Sequence, residues 1–443
     1  MNEIKEKITG SITIKILVIG LLVLILLIPA SMIKSLIMER QFTRNSVVKE
    51  ISKKWGNKQS ITGPILSVPW YKYFEIKRDG KVEIEKIEKT LYLLPETLDI
   101  KGDLQPEIRY RGVYKVIVYK SNLNISGNFI IPDSLELDIN NDDIDWGKAS
   151  LLIGIPDMRG IQNDLQINWN KKNYEVRPGM ASNVAGKSGV TAFVPLSSDN
   201  KTYSFNFNID LNGSESLFFM PLGKTTDVSL TSTWDTPSFT GAFLPDNREV
   251  SEAGFKADWK ILHLNRNYPQ IWKENIFSIN HSSFGINLLF PVDEYQKSMR
   301  SAKYAIMFIV LTFIMFLFFE LINKRRTHPI QYILVSAGLL LFYTLLISLS
   351  EHIGFNLAYL SSSVGIIGLI TMYSHNIFKK YSITVIMGIC LSIIYGFLFV
   401  ILQLQDYSLL LGSIGLFIIL GVIMFISRKI DWYGSLAVTN KNE

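Results

Sequence analysis

Six long apolar runs dominate the pattern of hydrophobic and polar positions along the chain. The first covers residues 12–33, and the other five follow one another closely at residues 304–322, 332–349, 355–373, 383–402 and 409–426. Each run is close to the roughly 20 residues with which a helix crosses about 30 Å of hydrocarbon. The pattern therefore predicts six transmembrane helices, one before and five after a long, more polar stretch.

The polar stretch between the first two runs changes to a period of two, which is typical of half-buried β-strands. Apolar and polar residues alternate in three groups, at Leu165, Ile167 and Trp169, at Tyr203, Phe205, Phe207, Ile209 and Leu211, and at Val228 and Leu230. Turn signals stand at Asp79-Gly80, Pro178-Gly179 and Asn212-Gly213. We predict an antiparallel, sandwich-like β domain at residues 63–291, and the pattern leaves open whether it is one unit or two stacked sandwiches.

A helical pattern precedes this domain. Val47, Val48, Ile51 and Trp55 recur at helical spacing, so the first membrane helix is expected to continue as an amphipathic segment that Gly56 ends. The predicted fold class is an α+β membrane protein with a large β-rich domain inserted between the first and second of six transmembrane helices. Its predicted parts are residues 1–38 (N-terminus and anchor helix), 39–300 (β-rich domain with its leading helix), 301–427 (five-helix bundle) and 428–443 (tail).

Lysine and arginine in the short connections predict the orientation, because positive residues near membrane helices stay on the cytoplasmic side. They stand at the first run and in alternate connections, namely Lys5, Lys7, Lys15, Lys324, Arg325, Arg326, Lys379, Lys380, Arg428 and Lys429. Both termini are therefore predicted to be cytoplasmic and the β domain to be external. Lys34, Arg40, Arg300 and Lys303 run against the rule, but they flank a long translocated domain, where the bias is weak.

The first run is expected to remain in the protein as an uncleaved signal anchor. It is longer than the apolar core of a signal peptide, which has about 7–15 residues, and residues 29–33 lack a small-residue cleavage pattern. A cleaved signal peptide is the disfavoured alternative.

Charge and cysteine content narrow the function classes. The formal net charge of +6 is largely explained by the anchoring clusters, which attract anionic lipid headgroups. The sequence contains no basic run with interleaved aromatics, which is the pattern that would predict a nucleic-acid surface. Cys390 is the only cysteine, so the β domain has no intrachain disulfide. The lipid bilayer is a predicted partner, and nucleic acid is not.

Catalytic and metal-binding patterns are not found in the β domain, which has no zinc-protease helix, serine elbow or phosphate loop. The acidic stretch at residues 138–149 begins like a calcium loop but has Asp143 and Ala149 where glycine and glutamate are needed. His263 and His281 have no ligand at a suitable spacing. We therefore predict no cofactor, no metal and no enzymatic activity.

Two charged clusters lie at the predicted membrane edges. Glu320 and His328 flank a basic run between the second and third helices, and Glu320 stands one turn from Lys324, with which it can pair. Glu351 and His352 form a tight outer turn between the third and fourth helices. A glutamate beside a histidine at the bilayer surface can bind a cation or relay protons. Helix capping is the favoured role, because proton-coupled transporters usually place ionisable groups nearer the midplane.

Small residues at four-residue spacing mark the later membrane helices. They form three stripes, at Gly388, Ser392 and Gly396, at Ser361 and Gly365, and at Ser408 and Gly412. Such residues let helix backbones approach closely, so helix packing is the favoured interpretation. A ligand path along these faces is the alternative.

Several short phrases of the sequence follow one another in a fixed order. They are Trp55-Gly56, Gly63-Pro64, Asp157-Met158-Arg159-Gly160-Ile161, Phe243-Leu244-Pro245-Asp246-Asn247-Arg248-Glu249-Val250-Ser251, Lys303-Tyr304-Ala305, His328-Pro329-Ile330-Gln331-Tyr332 and Ser350-Glu351-His352. In this order and with this topology, the chain resembles the CreD-type inner-membrane proteins of bacteria over nearly its whole length. Residues 77–89 and the tail after Asp431 match no family phrase.

The resemblance implies an inner-membrane protein linked to cell-envelope integrity and to envelope stress, including the response to β-lactams. It supplies no catalytic residue. The favoured hypothesis is non-enzymatic binding of an envelope protein or cell-wall component by a periplasmic β domain. The alternatives are a transporter or lipid-handling protein that uses Glu351 and His352, and a periplasmic enzyme that acts on envelope polymers.

Three charged residues of the external phrases allow two roles. Arg159, Arg248 and Glu249 stand among turn and strand signals, where they either tie loops together through buried salt bridges or present a recognition surface. The structural role is favoured.

Overall fold

The computed structural model describes residues 12–78, 81–132, 137, 139–197, 201–290, 294–323, 327–404 and 407–428. The chain divides into a membrane unit, Met1–Arg44 with Val292–Glu443, and a β unit, Asn45–Pro291. Several predictions lie outside the described residues, namely those on Lys5, Lys7, the Asp79-Gly80 turn, Asp138, Lys324, Arg325, Arg326, Lys429 and the tail after Asp431.

The described residues contain seven α-helices. They are α1 (Ile12–Trp55), α2 (Glu294–Lys303), α3 (Ala305–Asn323), α4 (Pro329–Ile353), α5 (Phe355–Phe378), α6 (Tyr381–Gln403) and α7 (Ser408–Ser427). All except α2 are long and apolar enough to cross a membrane, which confirms the six predicted spans. Helix α2 was not predicted, because ten residues with four charged side chains give no membrane signal.

Helix α1 continues well past its apolar run. Its 44 residues extend about 66 Å at 1.5 Å per residue, and it ends at Trp55 as predicted. Gly56 follows with φ +152°, and a Cβ there would lie 2.5 Å from the carbonyl oxygen of Asn212. The close approach of the two backbones therefore requires glycine at this helix end.

The β unit contains seventeen described strands. They are β1 (Gln59–Arg78), β2 (Lys81–Leu93), β3 (Thr97–Arg111), β4 (Tyr114–Ile130), β5 (Ser150–Gly154), β6 (Gln166–Trp169), β7 (Lys172–Glu175), β8 (Arg177–Pro178), β9 (Gly189–Phe193), β10 (Thr202–Ser214), β11 (Ser216–Phe219), β12 (Thr225–Ser232), β13 (Pro237–Gly241), β14 (Asn247–Ser251), β15 (Gly254–Leu262), β16 (Ile271–Lys273) and β17 (Phe284–Leu288).

These strands form two sheets. One has eight described strands in the order β14-β15-β12-β3-β4-β10-β6-β7, and the other has nine, with β13-β17-β11-β1-β5-β9-β8 in line and β2 and β16 attached through β1. The pairing is not wholly antiparallel as predicted, because β1 pairs with β11 and β12 with β3 in parallel. The predicted turn at Asn212-Gly213 is also wrong, since both residues lie inside β10.

One hydrophobic core joins the two sheets, which answers the question that the sequence left open. The alternating apolar residues of β10 are buried, and Tyr203 stacks on Trp169 at 5.3 Å between ring centroids. Trp259 of the eight-stranded sheet contacts Phe284 of the nine-stranded sheet at 5.7 Å. The β unit is therefore a single sandwich-like unit.

The membrane unit packs around buried aromatic rings. Phe342 of α4 meets Tyr359 of α5 and Tyr395 of α6 at 5.3 and 4.8 Å, and the Tyr359 hydroxyl donates to the carbonyl of Tyr395 at 2.7 Å. Among the small residues, a Cβ on Gly388 would lie 3.3 Å from Thr371 of α5. A Cβ on Gly365, Gly396 or Gly412 would meet no described atom within 4 Å. Helix packing thus explains Gly388, whereas Gly365, Gly396 and Gly412 have no described neighbour that would require glycine.

Candidate functional site

Asp157 is a buried hub where α1 gives way to β1. Its side chain is 7% exposed and accepts hydrogen bonds from the backbone and side-chain nitrogens of Asn57 at 3.0 and 2.8 Å. Arg159 donates to both carboxylate oxygens at 2.8 Å, and Gln59 donates to the Asp157 carbonyl. The five-residue phrase around Arg159 therefore fixes the segment that follows α1.

The charge of Asp157 is kept by these contacts. Burial on its own raises the pKa of Asp157, but hydrogen bonds from the Arg159 side chain and the Asn57 backbone outweigh it, so the pKa lies below its ordinary value. Arg159 thus makes a loop-tying ion pair, which is the structural role favoured for it.

The last turns of α1 in the β unit are held by the hairpin of β3 and β4. The guanidinium of Arg109 lies 3.7 Å from the ring centroid of Trp55, and the Trp55 indole donates to the Tyr119 carbonyl at 3.2 Å. Glu50 pairs with Arg111, and hydrogen bonds from Arg111 and then Lys54 lower the pKa of Glu50 to about 2. Stacking, hydrogen bonding and charge together fix this helix end.

Arg248 and Glu249 are in a different situation. Both lie on β14, whose five residues are all exposed, and neither makes an ion pair within the described residues. The prediction that they tie loops through buried salt bridges is therefore wrong. Strand β14 is at the end of its sheet, where side chains meet water rather than a second layer.

Glu320 forms a second buried hub, in the membrane unit. It is 2% exposed and pairs with Lys15 of α1. It also accepts from the Thr327 backbone at 3.0 Å, from the Thr327 hydroxyl and from the Tyr332 hydroxyl at 3.2 Å. The carboxylate thus joins α1, α3 and α4, whereas its predicted partner Lys324 lies outside the described residues.

His328 caps a helix, as the favoured interpretation expected. Its Nδ1 accepts from the backbone of Ile330 at 3.3 Å, and the Gln331 side chain accepts from the His328 backbone at 3.0 Å. This reciprocal arrangement satisfies backbone donors at the start of α4, where Pro329 is the first helical residue. His328 is not brought to the Glu320 carboxylate by any described contact.

The side chain of Glu351 is buried at the end of α4, while its neighbour His352 is exposed. The Glu351 side chain is 4% exposed, with Nε of Arg40 at 3.7 Å and the Tyr295 hydroxyl donating at 2.8 Å. The His352 ring lies 3.1 Å from the Ser348 carbonyl of its own helix. The two side chains therefore do not converge on one described site.

The partners of both membrane glutamates were missed in the sequence, although two of them left a signal. Lys15 is a charge inside an apolar run, and Arg40 breaks the charge rule for outer residues. Tyr295 left no signal, because it belongs to the unpredicted helix α2. In the membrane unit, charges that look misplaced in the sequence mark the cations that buried carboxylates need.

A groove of about 460 Å³ opens between α5 and α6. Its lining is mostly apolar, with Gly388, Ser392 and Thr371 among the contributing residues. The Thr371 hydroxyl is buried and has no hydrogen-bond partner among the described atoms. Within the described residues, no group of three or more histidine, cysteine, aspartate or glutamate side chains is arranged to hold a metal ion.

Part of the outer face of the eight-stranded sheet, away from the core, is made of polar residues only. Directly opposed residues form three rows across it, namely Lys260, Asp227, Asp99, Ser126, Asn206, Asn168 and Asn173, then Asn247, Asp258, Ser229, Lys101, Asn124 and Asn208, and then Glu249, Lys256, Thr231, Asp103, Asn122 and Asp210. None of these residues is buried.

The part of this polar face on β4, β10, β6 and β7 contains an amide face, made of Asn122, Asn124, Asn168, Asn173, Asn206 and Asn208. Its side chains pair across strands, with Asn124 donating to Asn208 at 2.6 Å and Asn168 to Asn173 at 2.8 Å. The side-chain amide of Asn206 has no hydrogen bond to any described residue. Each amide has two donors and one acceptor oxygen with two lone pairs, so the paired asparagines retain groups that can bind a further molecule.

Two comparisons with known proteins cover almost the whole chain. A family model described as inner membrane protein CreD matches residues 11–433. The chain is also 33% identical over 416 residues to the inner membrane protein CreD of Escherichia coli (strain K12), and the alignment covers 93% of this chain and 91% of that protein. Both similarities include the membrane helices and the β unit.

Proposed function

Because the chain belongs to the CreD family of inner-membrane proteins, we propose that it supports cell-envelope integrity by binding an envelope protein or cell-wall component. Binding is non-catalytic and uses the β unit, while the six membrane helices anchor the protein in the bilayer. The amide face is the observation that carries this proposal.

The orientation is part of the proposal. Lys379 and Lys380 join α5 to α6, and Arg428 follows α7, whereas the connections after α4 and α6 contain no lysine or arginine. By the positive-inside rule, the connection between α5 and α6 and the end of α7 are cytoplasmic. The termini then lie in the cytoplasm and the β unit in the periplasm, where it meets the cell wall and other envelope proteins.

The amide face supports binding because its composition works against strand stability. Asparagine is depleted in strands, where threonine and other β-branched residues are favoured. Six asparagines nevertheless occupy outward positions on β4, β10, β6 and β7. Residues that contradict the local preference without a packing benefit are expected at functional surfaces.

The test compares a triple variant of the amide face with the wild type. Asn124→Thr, Asn206→Thr and Asn208→Thr together replace amides by a residue that strands favour, so the fold should be kept. Asn287→Thr on β17 of the other sheet is the matched control. Each full-length chain is crosslinked in native membranes, isolated and analysed by mass spectrometry.

The proposal predicts that the wild type and Asn287→Thr enrich the same envelope components and that the triple variant loses at least one of them. If the triple variant retains every enriched component, the amide face does not bind them. If the wild type enriches none, the binding function itself is wrong.

Lipid handling is a second candidate, which the groove between α5 and α6 favours. Gly388→Leu would fill this groove with a side chain, and Gly412→Leu on α7 is the control. A lipid-handling role predicts that mass spectrometry finds less co-purified lipid with the first variant and an unchanged amount with the second. Equal lipid in both would exclude the groove as a lipid site.

A further inference from the structure

Strand β14 is an open edge of the eight-stranded sheet. Its five residues pair with β15 on one side, and no described strand pairs with the other side. An edge strand presents unpaired backbone N–H and C=O groups to which another strand can add. Val250 is 49% exposed here, so an apolar contact is also available.

The side chains of β14 give this edge a specific charge pattern. Glu249 lies on the polar face in the row of Lys256, and Arg248 points to the opposite side of the sheet because side chains alternate along a strand. Neither makes an ion pair within the described residues. A complementary strand would place an acidic residue opposite Arg248 and a basic residue opposite Glu249.

A second copy of the same chain fits this edge poorly. Directly opposed residues of an antiparallel pair lie on one face, so two identical strands pair symmetrically about one residue. The register that pairs all five residues is centred on Glu249 and sets it against its own copy. Moving the centre of the pairing to Arg248 sets that residue against its own copy, and moving it to Val250 leaves only residues 249–251 of the strand paired. Like charges directly opposed destabilise a sheet.

The surface beside β14 carries a net negative charge. A groove of about 320 Å³ there contains Asn247 of β14 and is lined by four aspartates and two lysines, namely Asp99, Asp227, Asp246, Asp258, Lys101 and Lys260. Asp99 and Asp227 are directly opposed in their strands. Burial and then the charge of Asp227 raise the pKa of Asp99. A cationic partner would relieve this repulsion and be steered towards the edge.

From these observations we infer that β14 accepts an added strand from a different protein, an extended segment with net positive charge that has adjacent acidic and basic residues. This inference rests on the proposed function and adds a second docking site to the amide face, at the opposite edge of the sheet. The added strand extends the eight-stranded sheet by main-chain hydrogen bonds, and Arg248 and Glu249 select its sequence.

The test places a photoreactive benzoylphenylalanine at Val250 in the full-length chain in native membranes. After irradiation, mass spectrometry identifies the crosslinked segment. Reversing either charge, Arg248→Glu or Glu249→Lys, is expected to lower the crosslink yield about fivefold, since each creates a like-charge pair. The same probe at Tyr174, with Lys172→Glu and Glu175→Lys, is the matched control on β7 at the other edge of the sheet.

The inference requires that the captured segment comes from another protein. It also requires that an acidic residue in place of the segment's basic residue opposite position 249 restores the crosslink yield with Glu249→Lys. A crosslink between two copies of this chain would overturn it, as would a yield that neither reversal changes or the absence of any crosslink at position 250. In those cases, enrichment of envelope components by the wild-type chain would still support the proposed function. If the wild-type chain enriches no envelope component, the proposed function and the inference about β14 are both refuted.

Discussion

Buried carboxylates and the exposed edge strand show two opposite uses of charge in this chain. Glu320 in the membrane unit and Asp157 in the β unit are each surrounded by donors from several elements. Arg248 and Glu249 on β14 are exposed and make no described ion pair. Because a buried charge without a partner is very costly, the first group stabilises the fold. The second group is available for recognition, and substitutions should separate the two groups by their effects.

The largest effect is expected for Glu320→Ala. It leaves Lys15 without its described ion-pair partner and removes the acceptor of Thr327 and Tyr332, and breaking a buried pair costs about 3–5 kcal/mol. The measurement is the free energy of unfolding in mixed micelles, with exposed Glu39→Ala as the control. A double variant with Lys15→Ala should lose less than the two single variants add up to. A loss below about 1 kcal/mol for Glu320→Ala would show that the hub is not structural.

Asp157→Asn should have the next largest effect, a loss of about 2 kcal/mol at neutral pH, because hydrogen bonds to a charged group are replaced by weaker ones. Since the folded-state pKa is lowered, the stabilisation is present above the unfolded pKa of about 3.9 and is lost as pH falls through the folded pKa. The gap between wild type and variant should therefore close below about pH 4. Chemical unfolding at several pH values measures it, with exposed Asp103→Asn as the control. A gap that does not change with pH would contradict the assigned charge.

Glu50→Gln should change stability less than Asp157→Asn. Glu50 and Arg111 are both partly exposed, and salt screens exposed pairs. Titration of Glu50 by nuclear magnetic resonance should give a pKa of about 2 at low salt and a higher value at about 1 M salt. An ordinary pKa at low salt would mean that Arg111 does not hold the helix end.

The smallest effects on stability are expected at β14. Arg248→Ala and Glu249→Ala should each change the free energy of unfolding by no more than about 0.5 kcal/mol, because neither residue has a packed or paired environment to lose. Thermal unfolding of the full chain measures this. A loss comparable to that of Asp157→Asn would place β14 with the structural group and end the comparison.

The sequence was sufficient for the six spans and the β-rich insertion, because both rest on repeated local patterns. It failed where the reason for a residue lies in a distant segment. Gly213 was predicted to lie in a turn, but it lies in β10. A Cβ on Gly213 would be 2.2 Å from the Tyr119 hydroxyl, so this glycine makes room for the tyrosine ring. Parallel pairing of β12 with β3 likewise depends on residues more than a hundred positions apart.

The charged sites were predictable in part. Glu320, Glu351 and Arg159 were found as charges in unusual surroundings, but their partners were not. Lys15 and Glu320 are 305 positions apart, and no periodic pattern connects them. Arg248 and Glu249 were assigned to buried salt bridges because a sequence does not show which strand ends a sheet.

The most direct test of the account is complementation in the bacterium that encodes this chain, with the chromosomal copy deleted. Entry of a membrane-impermeant dye reports envelope integrity, and immunoblots verify equal protein levels. Wild type and Asn287→Thr should restore dye exclusion, whereas the variant with Asn124→Thr, Asn206→Thr and Asn208→Thr should not. Full restoration by that triple variant would contradict the claim that the β unit supports the envelope by binding through its amide face.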